Sequence, residues 1–359
     1  MPLAPAFYVY PMSRWVSFSY IAEHHVRELR RHLRVEVVDE GALAAVMAVA
    51  LRAARCVFLL HPFFYPMQVY EARLLRKLGR PERVIGVDVA DSDHVSAEGV
   101  RLTGYAEAMV VPSTFSRDAY VRSGVSVPVH VVPHGVPEPY LSSPPSRPSR
   151  FRELADYKAR SGRRLLQVWL LHSGFRKGED LAYEVFNRLL RERGDVALAV
   201  RRPFALEVYS EEVDAGRLRP TLSIPAGRLS EGEVMELMDA CDAYLLSSRG
   251  GGFEHPPLLA LARGEPVVAA RGGAWQDYLP SWGLVESRRS SVLLPGNPIH
   301  DGCGVEMEVE AAVGRLHEVL DDLEGHRAKV REHVESRIRE GFTWRRAGEL
   351  LRDVVLRYL

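Results

Sequence analysis

A run of three glycines, Gly250 to Gly252, stands between an apolar segment and a proline-rich helical pattern. The apolar segment Ala243–Leu246 predicts a buried strand, and Pro256 with Pro257 predicts the start of a helix. Glycines let backbone amides approach a ligand closely, and a helix N-terminus favours negative charge. The pattern therefore indicates a cradle for a phosphorylated ligand. It fits equally a tight turn that needs glycine only for its backbone angles.

Two adjacent cations, Arg176 and Lys177, precede Gly178 after another predicted strand, Leu165–Leu170. Arginine offers a two-pronged donor and lysine a mobile point charge, and both suit a phosphate group. Taken without context, the pair equally fits a solvated basic surface.

Apolar strands alternate with helices along almost the whole chain, and these elements must position the residues above. Near-continuous apolar strands separated by helices favour parallel sheets covered on both faces. A proline- and serine-rich stretch, Pro137–Pro148, divides two such sets and predicts a linker. The predicted strands are Ala6–Tyr10, Val35–Val38, Cys56–His61, Arg83–Val87, Ala108–Val111, Val129–Val132, Leu165–Leu170, Val196–Val200, Thr221–Ile224, Ala243–Leu246 and Pro266–Ala270. The predicted helices include Tyr20–Leu33, Thr114–Ser123, Asp180–Arg191, Glu231–Asp239 and most of Val305–Leu359.

Composition excludes several classes of protein. The chain has 359 residues, which favours two domains. Lys plus Arg and Asp plus Glu both number 47, so net charge argues against a nucleic-acid partner. The three cysteines form no CxxC pair, which favours a reduced, cytoplasmic setting without a zinc site. The longest apolar run, Ala42–Leu51, stops at Arg52, too short to span a membrane, and the N-terminus has no signal-peptide pattern.

Four segments follow one another from about residue 108 to the C-terminus: Val110–Val136, Arg176–Asp180, Ser247–Gly273 and Phe342–Trp344. Together they resemble the family 4 glycosyltransferases, retaining enzymes with the GT-B fold. The resemblance implies an α/β protein of two doubly wound Rossmann-like domains with a deep interdomain cleft. It further implies an acceptor-side domain (1–140, joined by a C-terminal helix at about 345–359 that crosses back), a linker (141–162) and a nucleotide-sugar domain (163–344).

The function implied is retaining transfer of a sugar from a nucleotide-diphosphate sugar to an unidentified glycan, lipid or small-molecule acceptor. No metal or other cofactor is implied, and Asp91-Ser92-Asp93 matches the metal-binding DxD spacing by chance. Charge that develops on the departing diphosphate must be stabilised by fixed cations. The predicted catalytic residues are Arg176, Lys177 and Glu254, and the predicted donor-binding residues are His172, Gly174, Gly250, Gly251, Gly252, Phe253, Pro257 and Leu258.

The chain departs from the family at the donor site. Gly251 and Leu259 occupy the positions of a glutamate pair, and Glu254 is predicted to replace the first of these carboxylates. The family's donor-phosphate arginine also has no clear counterpart, and His172 falls near its place. The alternative is therefore a catalytically degenerate protein that kept the fold and acts as a binding or scaffold partner.

Acceptor binding is predicted at polar residues that follow strands of the first domain: His61, Asp88, Asp91 and His94. Each also fits a structural or solvent-facing role. The helix at Ile21–Arg34 carries several arginines and histidines. Such a helix can dock on anionic lipid headgroups at the inner face of a membrane, or simply present solvated arginines.

Overall fold

Parallel strands alternate with helices in the computed structural model, which describes residues 6–14, 16–46, 56–69, 84–171, 174–202, 212–214, 217–225 and 227–359. The chain divides into two units. Unit 1 comprises Met1–Gly135, Leu294–Gly302 and Gly341–Leu359, and unit 2 comprises Val136–Leu293 and Cys303–Glu340.

The α-helices whose limits are described fall between the strands and near the C-terminus. They are α1 (Ser17–Leu29), α2 (Ala97–Thr103), α3 (Thr114–Arg122), α4 (Glu138–Ser142), α5 (Arg152–Ser161), α6 (Gly174–Lys177), α7 (Glu179–Glu192), α8 (Glu231–Ala240), α9 (His255–Ala262), α10 (Val309–Asp321), α11 (Leu323–His333), α12 (Arg339–Gly341) and α13 (Trp344–Tyr358).

Unit 1 contains a six-stranded parallel sheet of order β2-β1-β3-β4-β5-β6. Alternate residues of its strands enter two separate hydrophobic clusters, Phe58 and Met109 on one face, Leu59 and Val110 on the other. Both faces are thus covered, as the apolar strands predicted. The strands are β1 (Ala6–Tyr10), β2 (Val35–Asp39), β3 (Val57–Leu60), β4 (Val84–Val87), β5 (Ala108–Val111) and β6 (Val129–Val131).

Helix ends in unit 1 follow local sequence signals. The Ser113 hydroxyl accepts a hydrogen bond from the Ser116 amide and caps α3, and Gly124 adopts φ 93° after its end. Helix α1 begins at Ser17 and ends at Leu29, so it is shifted toward the N-terminus relative to the predicted helix. The chain then turns, with the Leu33 amide bonded to the Leu29 carbonyl.

The C-terminal helix α13 belongs to the unit 1 core, as the GT-B resemblance implied. Thr343 caps it by accepting from the Arg346 amide. Trp344 is buried and stacks on His24 of α1, with ring centroids 4.3 Å apart. Gly135 lies so close to the Trp344 backbone that a side chain there would collide with it. The predicted C-terminal helix that returns to the N-terminal domain is therefore confirmed.

Unit 2 contains a second six-stranded parallel sheet, of order β11-β8-β7-β12-β13-β14. Two antiparallel pairs, β9–β10 and β15–β16, accompany it. Together the two parallel sheets confirm the predicted fold class. The strands are β7 (Arg164–Trp169), β8 (Val196–Arg202), β9 (Glu212–Asp214), β10 (Arg217–Arg219), β11 (Thr221–Pro225), β12 (Ala243–Leu246), β13 (Val267–Ala270), β14 (Leu284–Val285), β15 (Ser287–Val292) and β16 (Cys303–Met307).

Two stretches differ from the sequence-based expectation. The proline-rich stretch predicted as a linker contains α4 and leads into α5, and both lie in unit 2. Buried Glu236 orders the segment between them, because its carboxylate accepts from the amides of Ser149 and Phe151. Residues 305–307, the first of the stretch predicted to be mostly helical, pair with β15 as part of β16.

The segment Leu294–Gly302 joins unit 1 although its neighbours in sequence lie in unit 2. Ile299 packs in a unit 1 core cluster, and its carbonyl accepts from the Ser96 amide at 2.8 Å. The Gly302 amide donates to the Ser92 hydroxyl at 3.2 Å. These contacts join the segment Leu294–Gly302 to the loop that follows β4.

Candidate donor site

The glycine-rich turn after β12 is hydrogen-bonded to the turn after β7. The Ser247 hydroxyl donates to the Lys177 carbonyl at 2.9 Å, and the Arg249 amide donates to the Arg176 carbonyl at 2.8 Å. Gly178 adopts φ 65°, and a side chain there would strike the Ser247 carbonyl. Only glycine fits this position, so the turn at Lys177-Gly178 and the glycine run pack directly against each other.

Lys177 and Glu254 form a close ion pair that joins these two turns. The Lys177 ammonium lies 2.5 Å and 2.6 Å from the two carboxylate oxygens of Glu254, and the Ser248 hydroxyl donates to the same carboxylate at 3.0 Å. The lysine and glutamate side chains are 15% and 7% exposed. Arg176 is 3.9 Å from the carboxylate and donates to the Gly250 carbonyl at 3.0 Å. The three predicted catalytic residues therefore lie together, partly shielded from water.

Glu254 has a strained backbone. Among the described residues it is the single non-glycine residue with positive φ, at 63°. Such conformations cost about 1–3 kcal/mol and cluster at functional sites. The Tyr278 hydroxyl holds it in place by donating to the Glu254 carbonyl at 2.5 Å. A Cβ atom on Gly251 would lie against the Glu254 carboxylate, so this carboxylate occupies the space beside position 251. The geometry is compatible with the predicted replacement of the missing glutamate, which stays a prediction.

The other predicted donor-binding residues differ in location and burial. Gly174 begins α6, and Gly250, Gly251 and Gly252 are buried in the turn. The side chains of Phe253, Leu258 and Pro257 are buried in the protein and do not face a ligand. Phe253 is 3% exposed and packs on Tyr278, and Leu258 is fully buried in α9 with Pro257 beside it. His172 lies outside the described residues.

Arg249, which sequence reasoning missed, holds the site together. Its guanidinium donates twice to Asp180, at 2.7 Å and 2.6 Å, once to Glu306 at 2.5 Å and once to the Phe175 carbonyl at 2.9 Å. The hydrogen bonds from Arg249 lower the pKa of Asp180. The side chain is only 3% exposed. An arginine directly before the glycine run is the sequence signal that could have drawn attention to it.

We expect Arg249→Gln to destabilise the protein by about 1.5–3 kcal/mol, because it removes the buried cation whose hydrogen bonds join Asp180 to Glu306. The matched control is Arg288→Gln, which breaks an exposed contact with the same Glu306 carboxylate and should cost much less stability. Urea unfolding of both variants measures the difference. Equal losses would contradict the anchoring role of Arg249.

The predicted acceptor residues of unit 1 fall into two groups. His61 follows β3 and is buried, and its Nδ1 lies 2.9 Å from the Tyr8 hydroxyl. The same hydroxyl lies 2.8 Å from His25 Nδ1. Since a phenol has one proton, it donates to one imidazole and accepts from the other. His61 is therefore tied into a buried network with Tyr8 and His25.

Asp88, Asp91 and His94 follow β4. Asp88 is buried and accepts from the Phe64 and Val89 amides at 2.9 Å and 2.8 Å. Burial raises the pKa of Asp88 to about 6, and the charge of Asp91 acts in the same direction. His94 lies at the surface, where its Nδ1 is 2.7 Å from Asp301. Sequence reasoning missed His300, whose charge opposes the rise in the pKa of Asp88.

Buried histidines predict acid sensitivity for unit 1. Burial lowers the pKa of His25 to about 3, and burial together with His25 lowers the pKa of His61 well below its usual value. The unfolded chain therefore binds protons below about pH 6.5 that the folded chain rejects, and the free energy of unfolding falls as pH falls. The raised pKa of Asp88 acts oppositely between about pH 6 and 3.8.

We expect the melting temperature to fall between pH 7 and pH 4.5, and His25→Gln to flatten this dependence. His32→Gln, at an exposed position, is the control and should leave the slope unchanged. Thermal denaturation followed by circular dichroism measures both. A slope unaffected by His25→Gln would contradict the assignment.

Helix α1 bears on the predicted membrane contact. Its His24 and His25 are buried, so they do not belong to a basic surface. Beyond the end of the helix, Arg31 pairs with Glu28 of α1 at 3.2 Å, and Arg34 pairs with Glu36 at 3.0 Å. Among the described residues, no helix combines the length and apolar character that a membrane span requires.

Comparison with known proteins places the fold. No protein-family model matches the chain. A protein of Sulfolobus islandicus rod-shaped virus 1 named "Uncharacterized protein 356" is 28% identical over 98% of both chains. "Putative glycosyltransferase 45" of a Sulfolobus islandicus filamentous virus is 26% identical over 70% of this chain and 66% of its own length.

A solved E. coli structure, described as trehalose-6-phosphate bound with UDP-2-fluoro glucose, superposes with a TM-score of 0.71. It covers 98% of this chain and 99% of its own, at 11% identity. The chain therefore has the GT-B fold of glycosyltransferases, and the fold implied by the four sequence segments is confirmed.

Proposed function

We propose that the protein is a retaining, metal-independent glycosyltransferase that takes its sugar from a nucleotide-diphosphate donor, with UDP-glucose as the first donor to test. The observation that carries the proposal is the cluster of Arg176, Lys177 and Glu254 at the carboxyl edge of the unit 2 sheet. Ligands of open parallel sheets bind at this edge. The GT-B fold and the UDP-sugar analogue in the E. coli structure support the choice of donor.

The residues have separate tasks in this proposal. The bond between the anomeric carbon and the donor phosphate oxygen breaks, and its electron pair stays on the diphosphate. Lys177 and Arg176 stabilise that charge in a site partly shielded from water, where such contacts are strong. The acceptor hydroxyl bonds to the anomeric carbon on the same face, and its proton passes to the departing phosphate oxygen.

Glu254 keeps the Lys177 ammonium in place before the donor arrives. Its carboxylate neutralises the lysine in the free protein, so the diphosphate must compete with it for the ammonium. Once the diphosphate takes over this contact, the carboxylate is able to accept a hydrogen bond from a sugar hydroxyl.

Incubation with UDP-, GDP- and ADP-glucose, with release of the nucleoside diphosphate as the readout, tests the proposal. We expect slow hydrolysis of one donor without any acceptor, unchanged by EDTA, and an anomeric product of the same configuration as the donor by NMR. Binding of a nucleotide sugar without turnover would instead support the catalytically degenerate alternative. The absence of both binding and turnover would overturn the proposal.

A further inference from the structure

Arg201 is a buried arginine near the carboxyl end of β8. The residue is 7% exposed, and its Nη2 donates to the Gly227 carbonyl at 3.0 Å. Its guanidinium carbon lies 4.2 Å above the ring of Trp169, the last residue of the neighbouring strand β7 and its partner in register. The Gly227 carbonyl and the Trp169 ring thus hold the guanidinium.

Arg201 has no acidic partner in the part of the chain that the structure describes, and its Nε is buried without a hydrogen-bond acceptor there. Burial lowers the pKa of Arg201 to about 10. Other buried arginines of unit 2 are neutralised: Arg249 by Asp180 and Glu306, and Arg263 by two contacts with Asp239. A buried charge without an opposite charge is costly, so this position calls for an anion from elsewhere.

The position of Arg201 relates it to the donor site. Trp169 ends β7, and the chain continues from there to α6 and Lys177. On strand β12, next to β7, burial raises the pKa of the Tyr244 hydroxyl, the charge of Glu254 also raises it, and the charge of Arg201 lowers it. Arg201 and the Lys177–Glu254 pair thus lie along the same carboxyl edge of the sheet, where ligands of parallel sheets bind.

We propose that Arg201 binds the diphosphate of the nucleotide donor as a further cationic contact. This inference rests on the proposed function, because it assigns a residue to the same donor. A guanidinium forms two parallel hydrogen bonds to a phosphate, and those bonds would supply the missing opposite charge. The cation–π contact with Trp169 holds the guanidinium in place while no anion is bound.

Calorimetric titration with UDP and with uridine tests the assignment in the unmodified protein, Arg201→Gln and Arg202→Gln. Arg202 is the matched control, since it is the next residue and donates to the Tyr183 hydroxyl instead. We expect Arg201→Gln to weaken UDP binding at least about tenfold without changing uridine binding, and Arg202→Gln to change neither. Arg201→Lys, which keeps the charge but loses the fork, should fall between.

Thermal melting provides the structural control. Removing a buried charge that has no acidic partner should leave the melting temperature unchanged or raise it, whereas a purely structural role predicts a lower one. If the unmodified protein binds UDP and Arg201→Gln binds it equally well, or loses uridine to the same extent, the inference fails alone. If the unmodified protein binds no UDP, the proposed function fails with it.

Discussion

Turnover of UDP-glucose should fall at least about a thousandfold in the double variant Arg176→Ala/Lys177→Ala. Removing one preorganised donor to a developing negative charge costs about 100- to 1000-fold in kcat, and this variant removes two cations. Both side chains are largely shielded from solvent, so water cannot replace them efficiently. Release of UDP, followed by chromatography, is the measurement.

Two controls separate a local effect from a folding defect. Arg288→Ala removes an exposed arginine of the same unit and should leave turnover unchanged. The double variant should melt at a lower temperature, because it leaves the buried Glu254 carboxylate without its two cationic neighbours, so turnover is compared at a temperature at which circular dichroism shows both proteins to be folded. Turnover within tenfold of the unmodified protein would contradict the role of the two cations.

Glu254→Gly should separate stability from activity. Position 254 has φ 63°, which glycine adopts without strain, so the relief of about 1–3 kcal/mol of strain should offset part of the cost of leaving Lys177 without its carboxylate. Turnover should nevertheless fall by about 100-fold or more, because Lys177 loses the carboxylate that positions it. UDP should bind as tightly or more tightly, since its competitor for the ammonium is gone.

The double variant Gly251→Glu/Glu254→Gly moves the carboxylate to a different residue. It tests whether activity depends on where the carboxylate lies in space rather than on which residue carries it. A side chain on residue 251 starts beside the space that the Glu254 carboxylate fills. We expect this variant to recover at least about tenfold in turnover over Glu254→Gly. Activity retained in Glu254→Gly, or lost together with its melting temperature, would contradict the account of Glu254.

The strands and their alternation with helices were predictable because buried parallel strands are nearly continuous apolar runs. The C-terminal helix was predictable for a different reason, since Phe342-Thr343-Trp344 matched the family in order. By contrast, nothing local indicates that Ile299 packs in the core of unit 1, because the residues it meets lie about 200 positions earlier. Contacts of that separation depend on the tertiary fold.

The candidate site shows the same division. Arg176, Lys177 and the three glycines stand in recognisable patterns, and Glu254 was singled out by its distance from a missing glutamate. The positive φ of Glu254 was not predictable, because it opposes the preference of its residue type and is held by Tyr278. Arg201 and Arg249 look alike in sequence; only their partners in space distinguish an anchored arginine from one without an acidic partner.

The most direct test of the central claim is calorimetric titration of UDP into the unmodified protein and into Arg176→Ala/Lys177→Ala. The account assigns the diphosphate to these two cations, so we predict measurable binding that weakens at least about a hundredfold in the double variant. Equal affinity in the two proteins would show that the diphosphate, if it binds, is held elsewhere, and would contradict the account.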